Sequence, residues 1–382
     1  MTGENFPLIL NTTWFRLSLV KEIMNMKKLN VTLAILVAAV MAGNAQTSVN
    51  SEAVGYVNLT ITGSGTGLSK KTTYLSFPLL DKQLTVSGKT TGTITGVTST
   101  TITDSTAGWT AGELSTPAAP CLIGITSGTA AGRIFLISSS ATTGGALGTS
   151  ANTATTVTIT TYDTASGIDL VAAGVAVGDS YSIYGGDTLS SLLGSPSTTG
   201  VASGATASVA DSVVVVVNGS SSTYWHNGTN WKRSASGSPD SFNVPILPYT
   251  GISYARLGAS NINITATGTV PTGPRKMQIK NSGPTYFGMY FPADTTLSAL
   301  GLHNLSGWTA NAAVGSADKV VLVSNTGSSS TYWYTGTNWK RSASGSPISD
   351  TVVIPAGSMV YINKIGITTG YSTFTQALPY TL

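Results

Sequence analysis

One stretch of twenty-one residues occurs twice in this chain. Residues 219–239 read GSSSTYWHNGTNWKRSASGSP and residues 327–347 read GSSSTYWYTGTNWKRSASGSP, an offset of 108 residues. Only His226-Asn227 against Tyr334-Thr335 separates the copies. A near-identical segment at that spacing requires one local architecture to be used twice, so the chain is read first as a duplicated unit. Each copy carries a hairpin pattern. In the second, alternation puts Thr331 and Trp333 on one face and Tyr332 and Tyr334 on the other, Thr335 to Asn338 make the turn, and Trp339-Lys340-Arg341 return.

Composition narrows the architecture to β. Asp, Glu, Lys and Arg make up only 9% of the 382 residues, against about 25% in an ordinary soluble domain. Ser, Thr and Gly fill the polar positions. Thr and Val favour the pleated sheet while Gly and Ser favour its connections, which argues for many short strands and against helix bundles. The net charge of +4 includes Arg16, Lys21, Lys27, Lys28, Glu4 and Glu22, all upstream of residue 46. The remaining fifteen cations and thirteen anions form no basic run, so nucleic acid is not an expected partner.

The amino terminus reads as an address. Met26-Lys27-Lys28 opens a short cationic region, Val31 to Met41 is almost uninterruptedly apolar, and Gly43-Asn44-Ala45 supplies small residues. These are the parts of a secretory signal peptide over residues 26–45, with cleavage between Ala45 and Gln46. Residues 1–25 are read as an upstream extension, with translation starting at Met26, because Lys21-Glu22 can be encoded by AAG GAG, a bacterial ribosome-binding sequence. The mature chain has no apolar run that would span a bilayer as a helix. Cys121, the single cysteine, forms no internal disulfide and is expected to be a small buried hydrophobe.

The repeat extends beyond its best-matched segment. Asp187 to Leu192 resembles Asp294 to Leu300, each read as one or two helical turns with an Asp cap. Continuous apolar runs follow, Val213 to Val217 and Val320 to Val323, as central strands. Upstream, Val57 to Gly63 resembles Ile262 to Gly268, and Tyr74 to Pro78 resembles the segment from Tyr286 to Pro292. About a hundred residues separate Pro78 from Asp187, where the second copy passes at once from Pro292 to Asp294.

The expected organisation is therefore two tandem β-sandwich-like units with a small β-barrel or sandwich inserted in the first. Unit A takes residues 46–84 and 185–258, the insert residues 85–184, unit B residues 259–370, and residues 371–382 form a C-terminal tail. Insertion is tolerated where chain ends meet at a surface loop. The insert has five strand-like runs, one of them from Gly92 to Thr103, with a turn at Asp104 to Gly108 delivering Trp109 to the core.

With these landmarks in order, the chain resembles an uncharacterised family of exported β-rich proteins found in verrucomicrobial and related bacteria. The residues that carry the likeness are Val54-Gly55-Tyr56-Val57, Ser127 to Arg133, Asn152 to Val157, the two Tyr-Trp hairpins, and Leu378-Pro379-Tyr380-Thr381. The family brings no activity or catalytic residues.

Chemistry is sparse. His226 and His303 lack metal-ligand spacing and read as solvated loop residues, and no nucleophile elbow, Walker loop or calcium loop occurs. No cofactor is expected. Beyond residue 46 only Glu52 and Glu113 supply glutamate, and most aspartates sit in turn contexts, which makes a polysaccharide-cleaving enzyme the third choice. The hairpins supply the candidate contact residues Tyr224, Trp225, Trp231, Arg233, Tyr332, Trp333, Trp339 and Arg341. Their rings either pack the units or form aromatic platforms, with the Lys-Arg pairs as cation–π partners. The expected protein is an exported, non-enzymatic structural or adhesive module of the cell envelope or extracellular matrix. The alternative is a carbohydrate-binding protein using those hairpins. Its partners would be polysaccharide, envelope or matrix proteins, or further copies of itself.

Overall fold

A computed structural model describes residues 54–65, 69–79, 84–138, 151–160, 169–217, 220–241, 243–323, 328–366 and 369–381. The signal segment, Ala45 and Gln46 lie outside the described residues. From residue 53 onward the chain forms one compact unit.

The chain opens with β1 (Val54–Ile61) and β2 (Lys71–Leu75). Seven short strands follow: β3 (Thr91–Thr93), β4 (Gly96–Val97), β5 (Thr101–Thr103), β6 (Cys121–Ile125), β7 (Ile134–Leu136), β8 (Thr156–Thr158) and β9 (Ser180–Gly185). Next come β10 (Asp187–Thr188), the helix α1 (Leu189–Leu193), β11 (Ser212–Val217), β12 (Ser220–His226), β13 (Trp231–Arg233), β14 (Pro245–Ile246), β15 (Ile252–Arg256) and β16 (Ile262–Thr269). The last set is β17 (Arg275–Lys280), β18 (Gly283–Gly288), β19 (Thr295–Thr296), β20 (Lys319–Val323), β21 (Ser329–Tyr334), β22 (Trp339–Arg341), β23 (Val353–Ile354), β24 (Met359–Lys364) and β25 (Tyr371–Gln376). The protein is all-β, as its composition requires.

Two five-stranded antiparallel sheets share one order, β13-β12-β11-β15-β2 and β22-β21-β20-β24-β18. The valine runs are central in each. Val213 and Val215 point into the core, whereas Val214 and Val216 on the other face are half-buried. Each sheet is accompanied by a two-stranded ribbon, β1 with β16 and β17 with β25, and by a two-residue pair, β10 with β14 and β19 with β23. Residues 91–185 build the sheets β3-β9-β6-β7 and β4-β5-β8, with Trp109 in their core. The run from Gly92 to Thr103, expected as one strand, is broken into three by turns at Thr95 and Thr98. Neither five-stranded sheet nor the four-stranded one closes into a barrel.

Two assignments made from sequence differ from the strand pairing. Residues 262–269, expected in the second unit, form β16, which pairs with β1 along its whole length, Val54 against Thr269 through Ile61 against Ile262. Ile262, Ile264 and Ala266 sit in the first core. Likewise residues 371–376 are no tail, because β25 pairs with β17 and buries Phe374 in the second core. The likeness of Val57–Gly63 to Ile262–Gly268 has a plain cause. Paired antiparallel strands with one face buried share the same apolar-in, Asn/Thr-out alternation without being equivalent positions.

The helical turns also differ. The cap of α1 is Thr188, in a capping box with Ser191, while Asp187 accepts from the Ser191 hydroxyl at 2.8 Å. In the second copy Asp294 holds the Ala356 N–H instead, and residues 297–300 form turns.

The two hairpins share their unusual backbone positions. Gly228 and Gly336 take φ of 108° and 105° at the hairpin tips. Gly237-Ser238 and Gly345-Ser346 turn through positive φ immediately before Pro239 and Pro347. Side chains with a Cβ rarely adopt this conformation.

Candidate functional site

The hairpin rings are interior. Tyr224, Trp225 and Trp231 are 6%, 4% and 1% exposed, and Tyr332, Trp333 and Trp339 are 6%, 3% and 0% exposed. Both faces of each hairpin are covered. The inner face packs on the core. The outer face is roofed by residues 202–210 and 309–317, anchored by the Gly204 N–H to His226 C=O bond and the Asn311 N–H to Tyr334 C=O bond, each 3.1 Å. Arg233 and Arg341 are exposed, while the neighbouring Lys232 pairs with Asp240 at 2.8 Å. No ring among the six offers an open face for stacking, so the hairpins as they stand are packing elements.

The histidines join these clusters rather than standing in solvent. His226 is 3% exposed and meets Trp231 edge-on at 5.6 Å. Its Nδ1 accepts from the Gly228 N–H at 3.0 Å, which requires a neutral ring. His303, half-buried, lies over Tyr334 at 4.5 Å. Burial pulls both imidazoles below the ordinary histidine range, and for His303 the Asp350 charge opposes the shift.

As pH falls below about 6.5, the unfolded chain takes up these protons before the folded one, so stability is lost through that window. His226→Tyr, which copies Tyr334, is expected to lose less stability than the parent between pH 7 and pH 5. Thermal unfolding of the two proteins at both pH values measures this, and equal losses would refute it.

A second duplicated feature escaped the sequence reading. Asp211 and Asp318, each after an alanine and just before a valine strand, are both 0% exposed. Asp211 pairs with Arg256 at 2.5 Å and accepts from the Tyr254 hydroxyl at 2.8 Å and the N–H groups of Ala202 and Leu257 at 2.9 and 2.6 Å. In the second copy Asp318 accepts from Thr309 and Ile365 N–H, both at 2.8 Å, but Lys364 stops 3.9 Å away. The shared Ala-Asp before a valine run was the visible signal. Cys121, as expected, is buried, and its thiol is pushed up to about 12 by burial and then by Glu113.

No family model, curated protein or solved structure matches this chain.

The two units meet through reciprocal contacts. The Ser76 N–H donates to the Gly357 carbonyl at 2.6 Å, and the Gly288 N–H donates to the Tyr249 carbonyl at 2.8 Å. Equivalent bonds fix the correspondence. Thr250 N–H to Leu247 C=O in the first unit matches Ser358 N–H to Pro355 C=O in the second, so Gly357 stands where the first unit has Tyr249. Ser76 and Gly288 correspond in the same way and touch, since a Cβ at Gly288 would lie 2.3 Å from that of Ser76. A local two-fold relation thus creates two junctions.

The first junction is filled. Tyr249 packs on Tyr290 at 5.4 Å and adjoins the second core. The second junction opens as a cleft of about 530 Å³ between β1 and β2 on one side and β20, β21 and β23 on the other. Among its lining residues are Asn58, Thr60, Tyr74, Leu322, Ser330 and Val353, and none of the lining residues carries a charge. Sequence could not show it, because its walls come from residues almost 300 apart. Among the described residues no helix is long and apolar enough to cross a membrane.

Proposed function

We propose that this protein is an exported, non-enzymatic structural or adhesive module of the cell envelope or extracellular matrix, acting by surface contact. The use made of its carboxylates supports the reading. Asp104 holds Thr106 and Tyr181, Glu113 holds Ser87 and Thr110, and Asp179 holds Ala176. Asp211 and Asp318 neutralise buried cations, while Asp187, Asp294 and Asp350 fasten turns beside the helix and hairpins. Acid–base catalysis needs a carboxyl poised toward substrate. Here these groups are committed to holding loops that a disulfide-free, weakly charged chain must fix by hydrogen bonding.

Fractionation tests the proposal. The chain is expected beyond the inner membrane and to sediment with isolated envelope or matrix material. Recovery in the cytoplasm, or as a freely diffusing species that leaves envelope material bare, would overturn it.

A further inference from the structure

The two junctions, related by the duplication, differ in a way that points to a ligand. At the first, the Tyr249 ring packs on Tyr290, and residues 129–133, from the region between β6 and β7, lie against the adjoining ribbon. That segment docks on ribbon β17–β25 through the Lys276 N–H to Gly132 C=O bond at 3.0 Å, the Lys276 Nζ to Thr129 C=O bond at 2.7 Å, and the Arg133 Nη2 to Thr373 hydroxyl bond at 2.9 Å. At the second, Gly357 replaces the tyrosine. It takes φ of 72°, and a Cβ there would lie 2.4 Å from Leu59 Cδ2, so a side chain at this position would strain the backbone and push Leu59 aside.

Ribbon β1–β16 correspondingly presents an open face. The bonds Thr62 N–H to Thr73 Oγ1 and Lys280 N–H to Thr285 Oγ1, both 3.1 Å, align the ribbons and put Asn58 and Thr60 where the second has Lys276 and Gln278. Thus the position of a half-buried lysine in one copy is held by an exposed asparagine in the other.

We infer that the second cleft binds a segment of neutral polysaccharide. This rests on the contact reading above and names its ligand. Three observations carry it. The lining holds amide and hydroxyl groups beside apolar Leu59, Leu322 and Val353, the mixture that meets the polar rim and the C–H face of a sugar ring. With no charge in the lining, an acidic or basic ligand would lose its hydration without gaining a counter-ion. The polar groups are also held in place beforehand. Thr60 donates to Asn263 at 3.0 Å and Thr265 donates to Asn58 at 2.8 Å across the ribbon, which fixes both side chains and leaves the Asn58 amide N–H groups and the lone pairs of the Thr60 hydroxyl available to a ligand. The cleft volume falls within the roughly 300–1,000 Å³ of small-ligand sites.

The test is calorimetric titration of the full chain with neutral hexasaccharides of β-1,4-, β-1,3- and α-1,4-linked glucose, and with an acidic uronate hexamer. At least one neutral hexamer is expected to bind and the uronate to bind at least tenfold more weakly. Thr60→Trp and Val353→Trp, at exposed positions on opposite walls, should each weaken binding at least tenfold while leaving thermal unfolding unchanged. Absence of binding by every neutral hexamer, preference for the uronate, or binding untouched by both variants would overturn the inference. If the hexamers fail while the chain still sediments with envelope material, the ligand assignment falls and the contact reading stands. Loss of both would remove the two together.

Discussion

Asp211→Ala is expected to destabilise the first repeat unit by about 3–5 kcal/mol, the cost of stranding a buried charge. The substitution leaves Arg256, 5% exposed, without its anion, and removes the acceptor for Tyr254, which is 0% exposed. Three further donors, the Ala202, Leu257 and Gly258 N–H groups, lose their partner in the same stroke. Those bonds tie the loop before β11 to the end of β15, so the loss is felt across the sheet. Asp318→Ala provides an internal comparison. Lys364 has no hydrogen-bond partner and its ammonium is already drawn below the ordinary lysine range by burial, against the pull of Asp318. Standing 3.9 Å away without a hydrogen bond to Asp318, Lys364 loses less than Arg256 does when its carboxylate goes, and the expected loss is about 1–3 kcal/mol, the desolvation cost of the two stranded N–H groups. Urea unfolding followed by tryptophan fluorescence measures both. With three cores among the described residues, unfolding is expected to show more than one transition. An Asp211→Ala loss no larger than that of Asp318→Ala would refute the argument.

What sequence could and could not reveal follows from the range of the interactions involved. Fold class was legible because it is a local matter. Thr and Val runs punctuated by Gly and Ser specify short strands residue by residue, and the valine runs at Val213 and Val320 correctly marked the centres of two sheets. The hairpin turn was equally local, and the Thr335 N–H to Asn338 C=O bond closes it where expected. Ring exposure was not legible. Trp225 and Trp333 sit on the outer face of their strands, and alternation alone gives them to solvent. The roof that buries them comes from loops some 15–20 residues upstream in the chain, whose only marker is the acidic residue that pins each loop. Strand equivalence failed for a related reason, because β1 and β16 obey one periodicity as partners. The cleft is further out of reach still, since it exists only where Asn58 and Thr60 face Ser330 and Val353 across a junction of two folded units.

The same comparison of copies yields the second large effect. Trp231→Ala and Trp339→Ala should each cost about 3–5 kcal/mol, as for other fully buried aromatic truncations. Both are among the largest completely buried side chains, yet the two indoles are held differently. The Trp231 Nε1–H donates to the Gly194 carbonyl at 2.8 Å, the residue that follows α1, so this ring fastens the helix to the hairpin. Trp339 instead lies among Trp308, Tyr334 and His303, at centroid distances of 5.7, 5.6 and 5.9 Å, and its Nε1–H has no partner. Phenylalanine separates these roles. At position 231 it strands the Gly194 carbonyl, whereas at position 339 it removes a buried donor that was never satisfied. Trp231→Phe is therefore expected to be more destabilising than Trp339→Phe by about 1 kcal/mol, one net hydrogen bond. Thermal unfolding of the two variants decides it, and a Trp339→Phe loss equal to or greater than that of Trp231→Phe would mean that aromatic packing outweighs the hydrogen bond in holding these hairpins.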